Sequence, residues 1–372
     1  MKYKNIAFLI IIVIFTGLYG YINHMNSTIK IGFAGGLSGQ WSQLSIEARN
    51  GFLLAIKDIN ADGGLLGKEV VPVFYDDRND PEYAKSFAEQ FEKDEVEIVV
   101  GFCVSQLKPA VEHILDNTNI LFISPTMSTY ELSNIDDNFI RVVSDSTFQG
   151  NAIVEDLKIN STKNTVVIYD LNNSGYTVPL SKYINDKAAS NNIKIADMIG
   201  IDSTNIDTDS FIKRIKESNP EGIVFITSAI DTAKLAQLLK INNIDGTFYS
   251  STWARTNDLI ANGGTAIEGL IIPGYFDEFN TSDTYRIFKD KLYDEFGTKP
   301  TFSSMYGYET MIALFNGITV ANSTDPNKVK EAIIQINTFK GIQGNFQINE
   351  YGDTLRNTIK FKIKDGEYIR LD

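Results

Sequence analysis

At 372 residues, with 43% apolar and 22% charged residues, the chain has an ordinary globular composition and the length for two cores. A formal charge of −13 with no stripe of Lys and Arg argues against a nucleic-acid partner, whose phosphates call for a local excess of cations. A single cysteine, Cys103, and two histidines, His24 and His113, rule out an intrachain disulfide and leave too few donors for a Cys/His zinc site.

The first segment is a separate object. Lys2 and Lys4 precede "IAFLIIIVIFTGLYGYI" (6–22), an uncharged apolar run that ends in polar "NHMNS". It reads as an export signal, between a signal peptide's apolar region and a spanning helix in length. No clean small-x-small cleavage pair follows it, and no cysteine offers a lipid attachment point. Residues 1–27 are therefore expected to remain as an anchor, lysines inside and body outside. The alternative is a cleaved signal with a weak site, and either way the body is extracytoplasmic.

From Ile29 onward, β-rich runs alternate with helical patterns. A strand over 29–34 leads through "GFAGGLSGQWS" into a helix over 45–60. Strands follow over 69–75, 97–102 and 120–124, with helices near 82–93 and 106–116 between them. A second series has strands over 165–170, 193–200, 222–227, 246–251 and 268–275, with helices near 178–190, 209–217 and 231–240. Three helices near 282–296, 303–321 and 326–336 precede a tail, 344–372, that alternates apolar and polar residues around "YGD" and "KDG" turns. The expected fold is α/β, with two doubly wound, Rossmann-like lobes in series.

The glycine-rich loop stands where a nucleotide's phosphate cradle would. Its glycines, Gly32, Gly35, Gly36 and Gly39, do not follow G-x-G-x-x-G, and no Gly-Lys-Ser/Thr comes after them. Trp41 sits where a cradle would want bare backbone, so the loop suits a turn that lines a cavity with an indole. "GGLSG" also misses a nucleophile elbow, because Gln40 takes the place of the second glycine. His113 reads as a helix residue and Cys103 as an inert small hydrophobe. "YDDRNDPE" lacks the regular alternation of a calcium loop. The chain is read as a non-enzyme without cofactor or metal.

Hydroxyls beyond strand ends carry the positive signal. "VVGFCVSQLKPA" places Ser105 after one strand, and "LFISPTMSTYEL" places Ser124, Thr126, Ser128 and Thr129 after the next. Open α/β sheets bind ligands outside the carboxyl ends of their strands, where helix N-termini favour a carboxylate. Any one of these hydroxyls taken alone is as well explained by helix capping.

At this point a resemblance is specific. "IGFAGGLSGQWSQLSIEARNGFLLAIKDINADGGLLGKEVVPVFYDDRNDPEYA", "VVGFCVSQLKPA", "ISPTMST", "FIRVVSDSTFQG" and "FKGIQGNFQINEYGD" occur in order and resemble the type I periplasmic solute-binding proteins of the leucine/isoleucine/valine-binding family of ABC transporters. The likeness runs from Ile29 to the end. It implies two lobes joined by three crossovers, 28–146 with 276–338 and 147–275 with 339–372, closing on a ligand by hinge motion. By the same resemblance Ser105, or the backbone of Val104, holds a ligand carboxylate from lobe one, and Thr126 and Ser128 contact the α-carboxylate and α-ammonium. Trp41 walls the side-chain pocket and Tyr176 covers the ligand from lobe two.

One departure bears on the ligand. Where family amino-acid binders place an acidic residue against the ammonium, this chain reads "FYSSTWARTNDL", with Trp253 or its neighbours at that place. Asp231 is a substitute if it is not simply a helix-capping residue. The ligand is therefore an amino acid, an aromatic acid or another small carboxylate, delivered to an ABC permease. A membrane-anchored sensing ectodomain on the same fold is the competing reading.

Overall fold

The computed structural model describes residues 28–39 and 42–371. The proposed anchor, residues 1–27, and Trp41 lie outside the described residues. Within the described residues no helix is long and apolar enough to cross a membrane.

Lobe one is built on a five-stranded parallel sheet in the order β2-β1-β3-β4-β5. Its strands are β1 (Thr28–Gly35), β2 (Glu69–Asp76), β3 (Ile98–Gly101), β4 (Leu121–Ser124) and β5 (Phe139–Arg141). β3 and β4 are buried along their whole length, as strands covered on both faces must be. One face packs Ile31 and Phe33 with Ala48 and Phe52 of the helix Ser42–Ala61 and with Met305, Leu314 and Ile318 of the helix Phe302–Ala321. The other face packs Val99 and Phe122 with Phe87, Phe91, Val111 and Ile114.

Lobe two carries a seven-stranded sheet in the order β15-β14-β10-β9-β8-β6-β7. β6 (Asn164–Asp170), β7 (Lys194–Ile201), β8 (Gly222–Ile226), β9 (Thr247–Ser250) and β10 (Ile271–Gly274) are parallel, whereas β14 (Ile359–Lys364) and β15 (Glu367–Arg370) extend the sheet antiparallel. Three crossovers, 142–145, 275–282 and 356–358, join the lobes.

The structure departs from expectation in several places. The tail 339–372 does not belong wholly to lobe two. β11 (Thr338–Gly341), β12 (Gly344–Ile348) and β13 (Thr354–Leu355) form a small sheet whose Phe339, Phe346 and Ile348 join the core of lobe one, and only β14 and β15 join lobe two. The helix expected over 82–93 is two helices, Pro81–Lys85 and Phe87–Lys93, meeting at Ser86. A helix at Ser146–Ile159 opens lobe two where no periodic pattern marked one. Its buried residues include Ser146, Gln149, Gly150, Ile153, Val154, Asp156 and Leu157, polar and apolar together, so no apolar stripe stands out.

Candidate functional site

In each lobe the strand order reverses direction once, between β1 and β3 and between β6 and β8. Such switch points open a crevice outside the carboxyl ends of the strands. The two crevices face each other. Between them lies a cavity lined from lobe one by Leu44, Ser105, Thr126, Ser128 and Tyr306, and from lobe two by Asn173, Tyr176, Trp253 and Arg255. The crossovers add Val143, Tyr275 and Phe276 to its wall. The cavity has a volume of about 50 Å³, and a second cavity of about 350 Å³ adjoins it across Leu44 and Trp253.

Ser105, Thr126, Ser128, Tyr176 and Trp253, singled out from sequence, all line this cavity. Asp231 does not. It stands at the third position of the helix Ala229–Ile241, where its backbone N–H donates to the Ser228 hydroxyl and its carboxylate accepts from the same hydroxyl at 2.6 Å. Its side chain belongs to the adjoining cavity, with Glu47 and Asp258.

The lobe-one hydroxyls divide by role. Thr126 Oγ1 donates to the Cys103 carbonyl at 2.7 Å, and Ser124 Oγ donates to the Phe102 carbonyl while accepting from Met127 N. These bonds stitch the loop after β4 to the loop after β3. Ser105 Oγ accepts from Thr129 N at 3.2 Å and keeps its own proton to donate. Among the described residues Ser128 spends only its carbonyl on the protein, accepting from Ser146 N at 2.6 Å. Behind the loop the buried Arg141 donates to the Thr129 carbonyl at 2.7 Å and pairs with Asp353, so the register of Ser128 is fixed from below.

In lobe two, Tyr176 OH donates to Gln149 Oε1 at 2.9 Å, and the same oxygen accepts from Thr252 N and Thr252 Oγ1 at 3.0 Å. The Tyr176 ring meets Trp253 edge-on, centroids 6.0 Å apart. Burial pushes the Tyr176 phenol up to about 12 and the Cys103 thiol likewise to about 12, so both stay protonated at neutral pH. The glycine-rich loop is already served by an anion of the protein. Asp76 accepts from Leu37 N at 2.9 Å and from Ser38 Oγ at 2.6 Å. Burial raises its pKa, but these bonds and those from the Arg78 and Ser38 backbone outweigh that and hold the carboxyl below its usual range. A phosphate there would meet a carboxylate.

Sequence reasoning missed Arg255, Tyr275 and Tyr306. Each is at least nine-tenths buried, and Arg255 Nε and the Tyr306 hydroxyl have no hydrogen-bond partner among the described residues. Only the quoted "WARTND" carried a signal, an arginine two residues beyond a cavity-lining tryptophan.

A sequence model of the family described as periplasmic binding protein matches residues 28–367. Among characterised proteins, the chain is 29% identical over 339 residues to the leucine-, isoleucine-, valine-, threonine-, and alanine-binding protein of Pseudomonas aeruginosa, covering 88% of this chain and 87% of that one. Its fold is similar to that of a leucine binding protein from Thermotoga maritima, TM-score 0.84 at 22% identity over 92% of this chain and 98% of the other. It is also similar to a solute binding protein of an ABC transporter from R. palustris in complex with benzoate, TM-score 0.81 at 16% identity over 93% and 96% of the two chains.

Proposed function

Because the chain belongs to the periplasmic binding protein family, an extracytoplasmic family of solute-binding proteins, we propose that it clamps a small carboxylate between its lobes and presents it to an ABC permease. The observation that carries this reading is the cavity itself, walled on one side by Ser105, Thr126 and Ser128 and on the other by Tyr176 and Trp253. The Ser105 and Ser128 hydroxyls, each with a proton to give, beside the start of the 105–107 turn and the helix Lys108–Asn117, suit a carboxylate, and rings suit an apolar remainder. Binding without turnover fits a wall whose one thiol burial holds protonated. The leucine- and benzoate-binding relatives support the substrate class. The apolar segment 6–22 supports an anchored protein, for which N-terminal sequencing of the membrane fraction should begin at or near Met1.

A thermal-shift screen against amino acids and aliphatic and aromatic carboxylates, followed by calorimetric titration, tests the reading. Ser128→Ala should weaken the best ligand by about 1–3 kcal/mol, the cost of leaving a charged acceptor short of a donor. Trp41→Ala should weaken it as well and change the ranking of ligands. Unchanged affinity in both variants would place the site elsewhere.

A further inference from the structure

Two residues stand between the ligand cavity and the larger cavity beside it. Among the described residues, Leu44 of lobe one and Trp253 of lobe two are common to both linings, so together they wall off about 50 Å³ from about 350 Å³. Each is held by bonds that have no part in contacting a ligand. The Leu44 carbonyl accepts from Oγ of the buried Ser303 at 2.6 Å, which fixes the first turn of the helix Ser42–Ala61. Trp253 is gripped from two sides through one atom. Gln149, a buried residue of the helix Ser146–Ile159, offers an Oε1 that accepts from Thr252 N and Thr252 Oγ1, next to Trp253 in the chain. The same oxygen accepts from Tyr176 OH, whose ring meets the indole edge-on. Removing that oxygen would strand three donors at once and free the indole on both sides.

We propose that Trp253, with Leu44, is the end wall that sets the greatest length of carboxylate tail the protein accepts, and that Gln149 is the positioning residue that holds the wall in place. The proposal rests on the carboxylate-clamping reading above and deepens it. Because Leu44 and Trp253 come from different lobes, the wall is complete only when the lobes are together. A tail too long for the cavity would push the two apart and keep the lobes from closing, so the limit is steep. Beyond the wall stand the carboxylates of Glu47, Asp231 and Asp258 with Lys234. That excess of negative charge disfavours an anionic head there and leaves it on the Ser105 and Ser128 side, with only the tail facing the wall.

Calorimetric titration of the full chain with straight-chain monocarboxylates from propanoate to decanoate, beside leucine and benzoate, tests it. In the wild-type protein each added methylene should tighten binding by about fourfold until the tail meets the wall, and the next should weaken it by about tenfold or more. Trp253→Ala should move that limit outward by at least two methylenes, and Leu44→Ala should move it in the same direction by less. Gln149→Met, which removes the shared acceptor, should move the limit as Trp253→Ala does, whereas Gln149→Glu, which keeps an oxygen for the three donors, should leave it at the wild-type length. A Gln149 with no part in positioning the indole would instead give variants that weaken all acids alike without moving the limit, and that outcome would overturn its role. Leucine or benzoate binding without any length limit among the straight-chain acids, or a limit unmoved by Trp253→Ala and Leu44→Ala, would overturn the wall and leave the carboxylate reading standing. Failure of every acid to bind, leucine and benzoate included, would overturn both.

Discussion

Asp77 follows β2 directly, fully buried, with one carboxylate oxygen accepting from Asn79 N at 2.8 Å and the other unpartnered among the described residues. Burial pushes its carboxyl up to about 7 against the pull of that single bond, and the neighbouring charge of Asp76 adds to the rise. The folded state thus holds a proton that the unfolded chain releases near the ordinary carboxylate pKa of about 4. The sign follows from linkage: the stabilisation is fully present below about pH 4 and is lost as pH rises toward 7, where the buried group must ionise. Asp77→Asn keeps an oxygen for Asn79 N and removes the titration. The variant should therefore gain on wild type between pH 5 and pH 8, by on the order of a few kcal/mol at most. Urea denaturation of both proteins at the two pH values checks this, and parallel pH dependences would refute it.

Among the elements, the turn after β3 and the helix Ser174–Ala189 meet across the cleft. Gln106 Oε1, from lobe one, accepts from Gly175 N at 3.1 Å and from Ser174 Oγ at 3.0 Å, so a side chain of one lobe caps a helix of the other. A Cβ on Gly175 would stand 2.3 Å from the Ser105 carbonyl, a backbone atom that cannot swing aside. Ser105 and Tyr176, the neighbours of these latch residues, line the cavity, which ties closure to ligand contact. Gly175→Ala should hold the lobes apart and weaken ligand binding by about tenfold or more, with the melting temperature of the ligand-free protein little changed. Small-angle scattering with and without ligand checks it, and normal compaction on ligand addition would sink the idea. The ion pair of Arg141 and Asp353 is of another kind, buried and internal to lobe one, and Arg141→Met should cost about 3–5 kcal/mol by stranding the carboxylate. Sequence patterning exposed most strands and the order of the lobes because the core strands are short apolar runs between turns, but it missed β5, which is only three residues long. It placed the helix at Ser174 four residues late because Pro179 interrupts the first turns, and it missed the helix at Ser146 because burial on several sides erases the stripe. Five candidate site residues are legible as hydroxyls or rings after strand ends. Arg255, Tyr275 and Tyr306 are not, since only the folded chain brings them to the wall of the cavity.

For the whole molecule, the two lobes have separate cores, and the link between them is thin. Phe33, Phe52 and Leu314 belong to one core, and Ile168, Phe225 and Phe361 to another. The third crossover is anchored to lobe one. Arg356 Nε donates to the Val142 carbonyl at 2.9 Å, its backbone N–H donates to Ser144 Oγ at 2.9 Å, and its guanidinium pairs with the buried Glu309. That fastens the third crossover to the first and to lobe one while leaving lobe two free to pivot. Cavity residues Val143, Tyr275 and Phe276 lie on the other two crossovers, so a ligand held in this cavity would touch both lobes and the hinge at once. Without ligand, cooperativity between the lobes rests on the crossovers, the Gln106 cap and the contact of the Tyr130 and Tyr183 rings, and the calorimetric unfolding enthalpy should exceed the van't Hoff value, as for two partly independent units. A ligand at about 100 times its Kd adds about 2.7 kcal/mol that is lost as soon as either lobe unfolds, which makes the lobes unfold together. Scanning calorimetry should then show the two enthalpies converging as ligand is added. Equal enthalpies in the ligand-free protein would mean that the lobes are already one cooperative unit and that the crossovers are stiffer than their lengths imply.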